Sequence, residues 1–180
     1  MSLRLFAALS LPDEIADLLT PLQRGTPGAS WRPRENFHIT LRFFGDLDGA
    51  VARDLDEELA QITETPFEIQ LEGAGSFGGR EPHALWIGVA PHPTLNRLAG
   101  ACERAARRLN LTADKRRFKP HVTLAYCHGT QDDDAAAFIS RLASFESPPF
   151  WVESFQLYSS RMGKGPSRYL DEAVYPLGSN

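Results

Sequence analysis

The stretch Phe37-His38-Ile39-Thr40-Leu41 has a counterpart later in the chain, Pro120-His121-Val122-Thr123-Leu124. Both copies have the form His-x-Thr-Leu, with a β-branched residue at x. They lie in the segments 37–44 and 118–126, which are rich in aromatic, β-branched and leucine residues. This composition predicts a strand in each place.

The spacing inside each motif brings two polar side chains together. In a strand, residues two positions apart project from the same face, and the residues between them project from the other. We therefore expect His38 and Thr40 to lie side by side, and His121 and Thr123 likewise, each pair above apolar residues that face a core. Two such strands facing each other form a site with two imidazoles and two hydroxyls, which are the candidate catalytic groups.

The same alternation predicts a set of substrate-binding residues around the motifs. Arg42 and Phe44 follow the first pair on its face, and Arg117 and Lys119 precede the second pair on its face. Arginine is well suited to binding phosphate oxygens in pairs. A positive wall beside two imidazoles predicts an anionic substrate.

A repeat at longer range indicates that the two strands are equivalent. The motif histidines are 83 residues apart. The same offset aligns a Pro-Phe pair, two aromatic residues and the apolar positions of two helices. These pairs are Pro66-Phe67 with Pro149-Phe150, Trp86 with Tyr169, Leu55 with Phe138, Leu59 with Leu142 and Ile62 with Phe145. Such a repeat predicts a duplicated architecture. We predict an α+β fold in which residues 1–180 form one domain of two similar lobes, related by a pseudo-twofold axis. Antiparallel sheets would line a central cleft, with helices outside.

Local patterns predict the remaining elements. Helices are expected after Pro12, after Gly49, after Pro93 and from Asp132. Further strands are expected at 3–9, 66–74, 84–89, 150–159 and 168–177, with a loop at 25–30 and a turn-like segment at 73–79. The aligned Trp86 and Tyr169 are expected to pack in the core, although either ring is also able to stack on a base.

Two opposed imidazoles suit acid–base catalysis on a phosphate ester. One ring takes a proton from the nucleophile while the other protonates the leaving oxygen, and the hydroxyls of Thr40 and Thr123 hold the phosphoryl oxygens. The motifs are symmetric and do not assign the two roles by themselves. The cationic segment 115–119 is expected to keep His121 neutral, which favours His121 as the general base and His38 as the general acid.

A zinc site is the main alternative, because histidine is a common zinc ligand. Neither motif carries an Asp, Glu or Cys on the face of its histidine, so no metal and no other cofactor is predicted. The net charge of −4 argues against a protein that coats nucleic acid, and no apolar run approaches the roughly 18 residues that span a bilayer. The start of the chain lacks a signal-peptide pattern. A cytoplasmic monomer without membrane attachment is expected.

With both motifs identified, the sequence resembles the two-histidine (2H) phosphoesterase superfamily. Within it, the chain is most similar to the RNA 2′,3′-cyclic phosphodiesterases, historically called 2′-5′ RNA ligases. The similar segments run nearly from end to end, at 4–9, 36–45, 85–89, 118–125 and 175–177. The paired motif is specific for the superfamily, and the flanking segments indicate this branch.

The resemblance implies that His38, Thr40, His121 and Thr123 are catalytic. It also implies a bilobal α+β fold with a central cleft, and metal-independent opening of a 2′,3′-cyclic phosphate at an RNA end to a 2′-phosphomonoester. One residue departs from the family pattern, because Tyr126 stands where family members often have an arginine.

Two other functions remain open from the sequence. One is action on a small cyclic-phosphate nucleotide instead of RNA. The motifs do not distinguish this function from hydrolysis of RNA 2′,3′-cyclic phosphate ends. The chain could also be a module that binds RNA ends without turnover, although a binder has no need of a paired acid and base.

Overall fold

The computed structural model describes residues 2–178, which form ten β-strands and four α-helices. In chain order these are β1 (Ser2–Ser10), α1 (Asp13–Leu19), β2 (Ala29–Trp31), β3 (His38–Asp48), α2 (Gly49–Ala60), β4 (Phe67–Ile69), β5 (Leu71–Phe77), β6 (Ala84–Val89), α3 (Pro93–Arg108), β7 (His121–Cys127), α4 (Asp132–Arg141), β8 (Phe150–Val152), β9 (Ser154–Gly163) and β10 (Gly165–Pro176). Short 3₁₀ turns cover Thr20–Leu22 and Arg34–Asn36.

The strands form two four-stranded sheets and one small two-stranded sheet. The first sheet has the order β10-β9-β1-β3, the second has the order β2-β7-β6-β5, and β4 pairs with β8. All of these pairs are antiparallel. The predicted α+β class with antiparallel sheets is confirmed, and each motif strand lies in a different sheet.

The predicted repeat is visible in the positions where elements begin. The pairs β3 and β7, β4 and β8, and β5 and β9 start at residues 38 and 121, 67 and 150, and 71 and 154, each 83 residues apart. In the small sheet, Phe67 pairs with Val152, Glu68 with Trp151, and Ile69 with Phe150. This pattern is unchanged when the two repeats are exchanged, so the pseudo-twofold axis passes through the Glu68–Trp151 pair.

The repeats exchange a strand with each other. Strand β5 of the first repeat pairs with β6, while β9 of the second repeat pairs with β1. Each large sheet therefore contains strands from both halves of the chain. Because neither sheet is complete without the other half, the two lobes are interlocked rather than joined by a linker.

The helices cover the outer faces of the sheets with the apolar positions that the sequence indicates. Leu55 and Leu59 of α2 are fully buried, as is Phe138 of α4. Helix α2 starts where the Asp48 carboxylate accepts hydrogen bonds from the amides of Ala50 and Val51, which is a standard N-cap. No helix within residues 2–178 is long and apolar enough to cross a membrane.

The turn predicted at 73–79 is wrong, because β5 continues through most of it to Phe77. Gly75 within this strand allows a close approach to the paired strand β6. A Cβ at Gly75 would lie 2.2 Å from the indole of Trp86 on the paired strand, so only glycine leaves room for that ring. The predicted loop at 25–30 is shorter than expected, because β2 begins at Ala29 and pairs with β7. A strand of three residues is too short to show a sequence pattern.

Candidate active site

Both motif histidines are anchored in the same way. The Nδ1 atom of His38 lies 2.7 Å from the carbonyl oxygen of Asn36, and Nδ1 of His121 lies 2.6 Å from the carbonyl oxygen of Lys119. A carbonyl oxygen only accepts hydrogen bonds, so each Nδ1 carries the proton and donates it. In the neutral rings, Nε2 is therefore the unprotonated nitrogen, which is the atom available for proton transfer.

The first motif has the side-by-side geometry that its spacing predicts. The Oγ1 hydroxyl of Thr40 lies 3.0 Å from Nε2 of His38. Because Nε2 is an acceptor in the neutral ring, the hydroxyl donates this bond. In the second motif, His121 and Thr123 pair with Gly88 and Trp86 of β6 and are both half-buried.

Aromatic rings surround each histidine in a parallel arrangement. The His38 ring lies 5.0 Å from Phe6 and 5.2 Å from Tyr169, and Tyr169 meets it edge-on. The His121 ring lies 4.9 Å from Phe77 and 5.8 Å from Trp86. The 83-residue offset aligns Trp86 with Tyr169 but does not show that both contact the histidines. No sequence signal marks Phe6 or Phe77, because both rings come from neighbouring strands.

Burial disfavours the charged form of both imidazoles and lowers their pKa values. The pKa of His38 is lowered to about 4, mainly by burial and to a smaller extent by the charge of His121, against an opposing contribution from the Asn36 carbonyl. The pKa of His121 is also lowered, mainly by burial and then by the Lys119 ammonium, against the opposing Lys119 carbonyl. Strands β3 and β7 contact each other, and the charge of His121 contributes to the lowered pKa of His38.

We expect the burial of His38 to make the protein sensitive to acid. The folded-state pKa of about 4 lies below the ordinary value of 6.5, so the unfolded chain binds more protons between these pH values. Stability is therefore lost as pH falls from about 6.5 to about 4, by up to about 3 kcal/mol from this group. Chemical unfolding at pH 7 and pH 4 should show a smaller loss for His38→Gln than for the wild type. His128→Gln is the matched control, because His128 is exposed, and an equal loss in all three proteins would contradict the assignment.

A cavity of about 120 Å³ borders His38, lined by Phe6, Glu35, Phe37, His38, Tyr158, Tyr169 and Asp171. Its walls are mainly aromatic, and two carboxylates stand at its exposed side. Burial, assisted by Asp171, raises the pKa of Tyr158 to about 12. The Tyr158 hydroxyl is therefore a neutral hydrogen-bond donor near pH 7. A flat ring beside the reacting group fits such walls.

The predictions that Arg42 and Phe44 face the cleft are wrong. Ala8 of β1 pairs with Thr40 and Ala7 pairs with Arg42, so Leu41 forms a β-bulge. The extra residue reverses the alternation and turns Arg42 away from the side of His38. Arg42 is buried, where it pairs with Glu103 and donates to the Thr112 carbonyl at 2.6 Å, and Phe44 is buried in the core.

The other two predicted substrate-binding residues precede the second motif strand. Strand β7 begins at His121, not at 118, so strand alternation does not apply to Arg117 or Lys119. Both are exposed, and the Lys119 ammonium lies 5.1 Å from the centre of the Trp86 ring. Lys119 therefore lies near His121 through its contact with Trp86, which also contacts the His121 ring. The role of Arg117 stays a prediction. Across residues 2–178 no three His, Cys, Asp or Glu side chains are grouped so as to hold a metal ion.

Two strands that each present a carbonyl-anchored histidine and a threonine define a phosphoesterase-like site, and the comparisons assign its family. Residues 11–164 match the model of the 2′-5′ RNA ligase superfamily, and the chain belongs to that family. It is 31% identical to the RNA 2′,3′-cyclic phosphodiesterase of Archaeoglobus fulgidus over 96% of this chain and 99% of that protein. It is 39% identical to the protein of the same name from Aeropyrum pernix, over 70% of this chain and 73% of that protein.

A solved structure confirms the fold. The crystal structure of Escherichia coli LigT complexed with 3′-AMP superposes with a TM-score of 0.81 at 23% identity, and the match covers 99% of this chain and 100% of that one. At this identity the likeness speaks for the fold alone. The predicted two-histidine family and its fold are thus confirmed by independent comparisons.

Proposed function

We propose that this protein hydrolyses RNA 2′,3′-cyclic phosphate ends to 2′-phosphomonoesters by acid–base catalysis between His38 and His121. The observation that carries the proposal is the matched anchoring of the two rings. Each Nδ1 donates to a backbone carbonyl two residues upstream, which leaves each Nε2 as a proton acceptor. The relatives named RNA 2′,3′-cyclic phosphodiesterase support the same reaction.

In the proposed reaction, water attacks phosphorus and the bond from phosphorus to the 3′-oxygen breaks. One imidazole takes the proton of the water, and the other gives a proton to the departing 3′-oxygen. Because the bond from phosphorus to the 3′-oxygen breaks and the bond to the 2′-oxygen is kept, the product has a 2′-phosphate and a 3′-hydroxyl. The two rings exchange protonation states in each turnover, so solvent must reset them.

The proposed roles stay those predicted from the sequence, with His121 as the general base and His38 as the general acid. That assignment depended on nearby cations keeping His121 neutral. Lys119 does lower the pKa of His121, but burial is the larger cause, and burial lowers the pKa of His38 to about 4. Because burial lowers both pKa values and an anionic substrate raises both, these shifts give no reason to reverse the two roles.

The threonines are proposed to hold the phosphoryl oxygens as negative charge develops. Replacing Thr123 by valine keeps the shape of the side chain and removes only the hydroxyl. We expect kcat to fall about 10²-fold or more, as for the loss of one donor to an oxyanion. Thr40→Val should fall at least as far, because Thr40 also donates to His38 Nε2. Steady-state kinetics measure both, with the exposed Thr65→Val as control, and a kcat within twofold of the wild type would contradict the role.

We further propose that residues 1–180 act as one two-lobed domain, monomeric and cytoplasmic. The exchange of β5 and β9 between the sheets supports a single folding unit, because neither half completes a sheet alone. Cys102 and Cys127 are free thiols, which agrees with a reducing compartment. Light scattering of the purified protein measures the oligomeric state.

The function is tested by incubating the protein with a short RNA that ends in a 2′,3′-cyclic phosphate, in the presence of a chelator. The expected result is multiple turnover to a phosphomonoester. A cyclic mononucleotide is assayed in parallel. Turnover of the mononucleotide alone would support a small-nucleotide phosphoesterase instead, and RNA binding without turnover would support a binding module.

A further inference from the structure

Arg32 occupies a fixed position at the edge of the second sheet. It follows β2, whose residue Ser30 pairs with Tyr126 of β7. The Arg32 amide donates to the carbonyl of Leu124 at 2.8 Å, and its own carbonyl accepts from Nε2 of Gln23 at 2.8 Å. The backbone from which this side chain projects is therefore held on both sides.

The guanidinium of Arg32 is held in position by two neighbouring side chains, but no carboxylate in the described part of the chain pairs with its charge. It stacks over the ring of Tyr126, with Cζ 4.9 Å from the ring centre, and Nη2 donates to the Ser30 hydroxyl at 3.1 Å. Within residues 2–178 it forms no ion pair with a carboxylate. Its Nε is buried and has no hydrogen-bond partner there. A half-buried charge with an unused donor is unfavourable unless an anion completes it.

This group lies near the candidate active site. The Arg32 backbone is hydrogen-bonded to Leu124, the residue after the motif threonine Thr123. Burial and Tyr126 raise the pKa of Tyr169, and the charge of Arg32 acts against them and lowers it. The Tyr169 ring in turn meets the His38 ring edge-on at 5.2 Å. Arg32, Ser30 and Tyr126 thus form one cluster, here called the Arg32 clamp, at the edge of β2 beside the second motif strand.

The clamp lies farther along β7 than the second motif. Tyr126 is five residues beyond His121 on the same strand, which corresponds to roughly 16 Å at the rise of a β-strand. The proposed mechanism has the reacting phosphorus between the two imidazoles, and we assign the clamp, farther along β7, to a second anion. Tyr126 is 43% exposed, which leaves the clamp open to a chain that enters from solvent.

We propose that the Arg32 clamp binds the phosphodiester on the 5′ side of the terminal nucleotide, and so makes the protein select RNA over a cyclic mononucleotide. The inference rests on the proposed cyclic phosphodiesterase function. The planar guanidinium has donors in a fork that matches two phosphate oxygens. Stacking on Tyr126 fixes the plane of that fork before substrate arrives, which reduces the entropy lost on binding.

The test compares two substrates, a cyclic mononucleotide and a tetranucleotide that ends in a 2′,3′-cyclic phosphate. Arg32→Ala should lower kcat/KM for the tetranucleotide about tenfold, mainly through KM, and leave the mononucleotide unchanged. The dependence of tetranucleotide KM on salt should weaken by about one phosphate contact, a change of roughly 0.7 in the log–log slope. Arg32→Lys keeps a point charge but not the fork, so it should restore the salt dependence and only part of the affinity.

Arg34→Ala is the matched control. Arg34 is two residues away, but its guanidinium is already engaged by Asp13 and Asp17, so its loss should leave both substrates unaffected. An equal loss on both substrates after Arg32→Ala would overturn the proposal, because the guanidinium would then act on the reacting phosphate. Wild-type rates on both substrates would also overturn it and assign Arg32 a structural role.

A binding measurement separates this inference from the proposed function. If the wild-type protein turns over neither substrate, the phosphodiesterase proposal fails, and the clamp is then tested by fluorescence anisotropy with a tetranucleotide that ends in a 3′-phosphate. Weaker binding by Arg32→Ala than by Arg34→Ala supports the clamp. Equal binding by the two variants overturns it.

Discussion

Replacing either motif histidine by alanine is expected to lower kcat for cyclic phosphate hydrolysis by about 10²- to 10⁴-fold, the usual contribution of a positioned acid or base. The two rings act in one step, since one proton is removed as the other is delivered. Loss of either ring therefore removes most of the benefit of the pair, and the His38→Ala/His121→Ala double variant should be little slower than the single variants. Single-turnover assays of the four proteins measure this directly.

His128→Ala is the control for this series. His128 is exposed and follows the end of β7, so its loss should leave kcat unchanged. Circular dichroism should show that all variants remain folded. Near-normal turnover after loss of either His38 or His121, or effects of the two substitutions that multiply in the double variant, would contradict a concerted pair.

The second large effect is expected on stability, at Arg42. Its guanidinium is buried against Glu103 and the carbonyl of Thr112. Arg42→Ala leaves the Glu103 carboxylate, which is only 19% exposed, without this partner, although Arg107 also contacts it. Breaking a buried pair in this way typically costs about 3–5 kcal/mol, so urea unfolding should show a loss of that size.

Arg53→Ala provides the comparison for this measurement. Arg53 is exposed on α2, and its loss should change the free energy of unfolding by less than about 0.5 kcal/mol. The substrate KM of the Arg42 variant should stay near the wild-type value when it is measured under conditions where the protein is folded. A raised KM with unchanged stability would instead restore the sequence-based prediction that Arg42 binds substrate.

The features that the sequence predicted well are those set by local periodicity. The pairing of His38 with Thr40 follows from the two-residue period of a strand, and the structure has the two side chains in hydrogen-bond contact. The repeat could be detected because strands and helices of both halves kept the same 83-residue offset, which recurs in β4 and β8. The starts of α2 and α4, at residues 49 and 132, keep the offset as well.

The features that the sequence did not predict depend on contacts between distant strands. The bulge at Leu41 is defined by the register of β3 against β1. No residue type in β3 indicates a bulge, so strand alternation predicts the wrong face for Arg42. The exchange of β5 and β9 has the same origin, because a strand pattern does not say which sheet it joins. Arg32 reaches Tyr126 only because β2 pairs with β7.

The most direct test of the central claim is hydrolysis of an RNA 2′,3′-cyclic phosphate in ¹⁸O-labelled water with a chelator present, followed by ³¹P NMR and mass analysis of the product. Attack by water between two imidazoles predicts a 2′-phosphomonoester that carries one ¹⁸O on phosphorus, formed at the same rate with and without the chelator. A 3′-phosphomonoester, or activity that disappears with the chelator and returns with zinc, would contradict the account.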